Sequence, residues 1–134
     1  MPNADHPVAR TEDLLIEEVG GELLVFDLQR DTAHALNEPA TKVWRLCDGS
    51  RTMPELARDS GLTEDAIRLA IVELEEKSLL ATPAPAGVSR RRLLETGVLA
   101  GAGLGLGYPV IRSIVAPTSA MASSTPGPTG PTGD

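Results

Sequence analysis

The sequence predicts an α+β fold: a small winged helix-turn-helix-like domain, with a three-stranded antiparallel sheet followed by three helices. A flexible linker and one apolar C-terminal segment complete the chain. Three observations lead there. Two short apolar runs flank a Gly-Gly pair, capped helical stripes follow, and the composition changes abruptly past Thr82. The expected divisions are a flexible arm at 1–12, the folded domain at 13–82 and a linker with a basic cluster at 83–92. An apolar segment at 93–117 and a disordered tail at 118–134 follow.

The runs Leu14–Val19 and Glu22–Leu28 sit on either side of Gly20-Gly21. Such a pair reads as a hairpin, because the turn needs positive φ and glycine accepts it without a Cβ clash. Gln29–Thr32 makes a second turn, and Ala33-His34-Ala35-Leu36 returns as the third strand. Asn37 caps the first helix, with Pro39 in its first turn, where a missing N–H costs little. Ala40, Val43, Trp44 and Cys47 repeat at i, i+3, i+4, i+7 as one buried stripe. Thr52 and Glu55 form a capping box for the second helix, which Gly61 ends. Thr63 caps the third, whose core face is Ile67, Ala70, Ile71 and Leu74. Leu79 and Leu80 add a final short strand or simply close the core. Phe26 and Trp44 are the aromatic residues expected in that core.

Charge narrows the function. The chain of 134 residues has a net charge of −7, but residues 1–87 hold 17 acids and 8 bases, whereas residues 88–134 hold 2 acids and 4 bases. The helix that would enter a DNA groove carries Glu64, Asp65, Glu73, Glu75 and Glu76 against Arg68 and Lys77. That sign repels phosphate, so no nucleic-acid partner is expected. A single cysteine gives no intramolecular disulfide, and Cys47 falls on a buried stripe as a small core thiol. No G-x-S-x-G context, no zinc signature and no phosphate-loop spacing is present. The sequence therefore reads as a non-enzyme without catalytic residues, metal ligands or a cofactor.

The stretches LLIEEVGGELLVFDLQRDTAHALN and EPATKVWRLCDGSRTMPELARDSGLTEDAIRLAIVELEEKSLL cover half of the chain. In order and spacing they resemble the PqqD family, through Leu36-Asn37, Val43-Trp44, Asp48-Gly49 and Thr52…Glu55-Leu56. The resemblance implies a RiPP recognition element, a peptide chaperone that holds the leader of a ribosomally made precursor and presents it to a modifying enzyme, often a radical-SAM protein. In the founding member the pathway makes pyrroloquinoline quinone. It also implies that the leader adds as a strand beside the third strand and packs on the third helix, with main-chain bonds giving affinity and side pockets specificity. The peptide-binding residues expected on that basis are Ala33, His34, Ala35 and Leu36 on the strand. On the helix they are Asp65, Arg68, Leu69, Val72 and Glu76, with Leu69 and Val72 off the core face as groove formers. A second reading keeps the helix-turn-helix shape as a protein-interaction or regulatory module with no RiPP leader. A DNA-binding regulator is a distant third.

The back of the chain reads differently. Arg90, Arg91 and Arg92 begin a twin-arginine-like motif, followed by an apolar segment and an Ala120-Met121-Ala122 cleavage-like site. Gly97–Ile111 is 15 uncharged residues, about 22 Å as a helix; continuing to Ala116 gives 20 residues and about 30 Å, a bilayer core. Three readings stand side by side: a membrane anchor through 93–117, an exported or cleaved tail, and a disordered segment. The flanking arginines would keep the front domain cytoplasmic.

Overall fold

The computed structural model describes residues 6–97 and 108–115. Its architecture is α+β, with a four-stranded antiparallel sheet in the order β1 (Leu14–Val19), β2 (Glu22–Asp27), β3 (Thr32–Leu36), β4 (Ile111–Val115). Four helices complete it: α1 (Glu38–Leu46), α2 (Met53–Ser60), α3 (Glu64–Glu76) and α4 (Arg90–Thr96). The layout has four strands and four helices where three of each were expected. The fourth of each comes from the chain beyond Thr82.

The hairpin turns at Gly20 and Gly21, both at positive φ (+58° and +86°), and sets Val19 opposite Glu22 and Leu14 opposite Asp27. Strand alternation then sends Leu23, Val25 and Asp27 to the helix-covered face and Leu24 and Phe26 to the other. Phe26, expected in the core, is therefore 39% exposed. Trp44 is the aromatic that serves the core, where its indole N–H donates to Leu79 O at 3.1 Å.

The helix starts behave as their caps dictate. Asn37 Oδ1 accepts from Ala40 N at 3.0 Å, Thr52 and Glu55 satisfy each other's backbone N–H, and Thr63 Oγ1 accepts from Ala66 N. Gly61 ends α2 in the left-handed region at φ +79°. The stripe Ala40, Val43, Trp44 and Cys47 is buried, as are Ile67, Ala70, Ile71 and Leu74. Leu79 closes the core, while Leu80 makes only an isolated bridge to Ala9.

The structure corrects three expectations about the flanks. The arm is not loose past His6: Val8 bridges to Asp48 and Ala9 to Leu80, and Arg10 forms a two-pronged ion pair with Asp27 at 2.8 and 3.1 Å. The linker is not a bare spacer either. Pro85 and Val88 are buried, and Ser89 caps α4 on the third helix side of the core. Finally, the apolar segment is not one continuous helix. Gly97 stops α4 at φ +79°, and Ile111–Val115 is a strand. No helix among the described residues is long and apolar enough to cross a membrane. Residues 98–107 of the anchor reading, and the tail and cleavage-like site from 116 onward, lie outside the described residues.

Candidate functional site

The edge of β3 where the family resemblance implies a peptide is filled by β4. The two run antiparallel with Leu36 opposite Ile111, Ala35 opposite Arg112, His34 opposite Ser113, Ala33 opposite Ile114 and Thr32 opposite Val115. All four strand residues named from the sequence, Ala33, His34, Ala35 and Leu36, thus sit against an extended segment. Alternation sends His34 and Leu36 inward and Ala33 and Ala35 to the opposite face.

Each position of the added strand has a distinct partner. Ile111 is 7% exposed and joins the core cluster that contains Leu36. Arg112 reaches back across the sheet to Glu22 at 2.9 Å. The Ser113 hydroxyl lies 3.0 Å from His34 Nδ1. Ile114 stays exposed on the outer face, where with Phe26, Leu28 and Ala33 it lines a cavity of about 240 Å³. Just before the strand, Asn37 clamps the backbone from both sides. Its N–H donates to Val110 O at 3.1 Å, its Oδ1 accepts from Val110 N at 3.0 Å, and its Nδ2 donates to Tyr108 O at 3.1 Å. One Oδ1 therefore caps α1 and holds the incoming segment together.

His34 is 4% exposed, not on the solvent side of its strand. Burial, then the nearby Lys77 charge, hold its pKa below the ordinary histidine value, with Asp27 opposing. Its Nε2 is buried with no hydrogen-bond partner, so Ser113 supplies the bond this ring makes.

The helical half of the expected site divides. Leu69 and Val72 are not open groove formers: at 4% and 2% exposure they lie in the same core cluster as Val88 and Leu93, from the segment that covers α3. Glu76, with Glu73, takes the Arg90 guanidinium of that segment, at 2.7 and 2.8 Å for the two Glu76 oxygens. Glu75 accepts from Ala84 N at 3.0 Å. Asp65 and Arg68 pair with each other at 3.0 Å, and with Arg92, Leu93 and Thr96 they line a separate groove of about 500 Å³. Of the three basic-cluster residues, Arg90 is thus engaged, while Arg91 and Arg92 reach only Glu95.

Sequence reasoning missed Asn37 as a clamp and Ile111, Arg112 and Ser113 as its cargo. A signal for the strand was present: a β-branched run between Pro109 and Pro117. Cys47, by contrast, is where it was expected. Burial, and then the Asp48 charge, push its thiol up to about 12, leaving it protonated and a poor nucleophile.

Comparison with protein-family models, with curated proteins and with solved structures gives no match to this chain.

Proposed function

We propose that this chain is a non-enzymatic peptide-binding accessory protein of PqqD type. It recognises the leader of a ribosomally made precursor peptide and presents it to a modifying enzyme, of the radical-SAM or another class. One observation carries the reading: the outer edge of β3 takes an extended segment as a further antiparallel strand, with one apolar side chain buried beside Leu36. Main-chain pairing supplies affinity there without regard to sequence, and the inward positions supply selectivity. The cover over Leu69 and Val72 supports the same surface, since that helix face buries apolar groups from outside the 13–82 unit.

The test is hydrogen exchange on the full chain, with and without synthetic leaders of precursors encoded beside its gene. The expected result is altered protection at Thr32–Leu36 and along α3. Leaders that bind without altering those amides would end the reading.

A second reading, a protein-interaction or regulatory module with no leader, draws on a different face. Leu15, Val19, Phe26 and Leu28 are all exposed on the side of the sheet away from the helices. Such a patch on a small domain marks a docking surface. On that reading Phe26→Asp would abolish partner capture, and no leader would alter exchange at β3.

A further inference from the structure

The segment on the β3 edge differs from the strands it joins. The β1–β2–β3 ladder is made by consecutive segments, whereas β4 arrives after all four helices. Its residues 112–114 are exposed and Ile111 is buried. Its far side pairs with no strand among the described residues, so removing it takes nothing from the β1–β2 and β2–β3 ladders. Yet its side chains are matched one by one: Ile111 to the core at Leu36, Arg112 to Glu22, Ser113 to His34 Nδ1, Ile114 to the Ala33 and Phe26 cavity.

We propose that β4 is a resident ligand, which fills the peptide edge in cis and displays the pattern of the free peptide that replaces it. That peptide is an extended segment carrying, in order, an apolar residue, a cation, a small hydroxyl residue and a second apolar residue. The inference rests on the peptide-binding reading above and adds its ligand class and its regulation. The hydroxyl position is the most selective. His34 is buried with one nitrogen unpartnered, and a ligand without a hydrogen-bonding group there would leave both nitrogens bare. The cation is the least selective, because both Arg112 and Glu22 are solvent-facing. Occupation in cis means that a free peptide meets an edge that is open only part of the time. Its apparent dissociation constant rises by the reciprocal of that open fraction.

The probe is a fluorescein-labelled synthetic peptide of residues 108–116, titrated by anisotropy into the full chain and two full-length variants. Ile111→Asp places a carboxylate where β4 buries its apolar side chain. Arg112→Pro removes the backbone N–H that the antiparallel register turns toward Ala35 of β3 and leaves Ile111 in place, so it serves if the first variant folds poorly. Both variants should bind the probe at least about tenfold more tightly than the natural chain, as release of the cis occupant requires. A probe with valine at the Ser113 position should bind several-fold more weakly than the parent. Equal affinity of the natural chain and both variants for the probe overturns the inference, because β4 then does not compete; the peptide-binding reading survives. Failure of all three proteins to bind the probe overturns the inference as well, because β4 then does not display the ligand's pattern; the peptide-binding reading stands or falls on the exchange experiment with leaders.

Discussion

Two end segments cover the unit between Leu14 and Leu80, and they are held in opposite ways. The front one enters the interior. Backbone bonds tie Ala9 to Cys47 and Arg10 to Leu79, and the Arg10 guanidinium meets a fully buried carboxylate. The back one adds Val88, Leu93 and Ile111 to the core cluster, but it is an edge strand and a short helix whose ion pairs are made by half-exposed arginines. A desolvated charge with every lone pair engaged admits no partial release, because withdrawing one partner strands the other in low dielectric. Solvent-facing pairs and edge hydrogen bonds exchange readily for water. The front segment is part of the fold; the back segment is a cover.

The sharpest way to break that contrast is to remove the buried carboxylate. Asp27 accepts two bonds from Arg10, backbone N–H bonds from Gln29 and Arg30, and a longer contact from the Arg30 guanidinium. Asp27→Ala leaves Arg10 uncompensated and should cost about 3–5 kcal/mol in urea unfolding, the largest effect of any single substitution discussed. A loss under about 1 kcal/mol would place the front segment in the same class as the back one.

Acid should probe the same pair more gently. The Arg10 guanidinium, above all, holds the Asp27 carboxyl at about 2, below its ordinary 3.8. As pH falls, the unfolded chain therefore takes up the proton first. The pair's contribution is complete above the unfolded value and drains away as pH drops from there through about 2. The sum at stake is about 2 kcal/mol, readable as the fall in urea midpoint between about pH 6 and about pH 2.5. Asp27→Asn should flatten that part of the profile.

Legibility in the sequence follows the same division. Helix starts were readable because a cap acts within four residues: Asn37, Thr52 and Thr63 each bond the backbone three positions on. The two buried stripes were readable for a similar reason, since helical periodicity is local. The phase of β2 was harder. Leu23 to Phe26 is apolar at every position, so nothing local says which alternate pair faces inward, and the inward set includes a charge, Asp27. Arg10, which makes that burial tolerable, lies on a segment with no pattern of its own. On α3 the helix is covered from two sides, so Leu69 and Val72 are buried although they lie off the first core face. The candidate site was half legible. The β3 edge was named from the sequence, but Ile111–Val115 was lost inside an apolar stretch of membrane-helix length. Pairing across most of the chain leaves no short-range mark.

Weaker perturbations of the back segment sharpen the comparison from its other side. Ile111→Ala removes the one buried contact described for β4 and should cost about 1–2 kcal/mol, confined to local opening of that strand. Hydrogen exchange would show faster exchange at residues 110–114 and in β3. The global urea midpoint would barely move. An equal fall in global stability would make β4 part of the cooperative unit and erase the distinction.

The smallest effect is expected at Arg90. It bridges Glu73 and Glu76 from α4, but its side chain is 37% exposed, and water competes for each bond. An ion pair in that setting contributes below about 1 kcal/mol, and screening reduces it further as salt is added. Arg90→Ala should therefore lower stability slightly at low salt and by nothing measurable near 1 M salt, at about the Debye length of a contact pair. Arg91→Ala, whose side chain is 90% exposed and reaches only Glu95, should be silent under both conditions. A salt-dependent loss at Arg90 with silence at Arg91 would mean that one arginine of the run serves the fold. The other two would then be free for whatever the motif addresses.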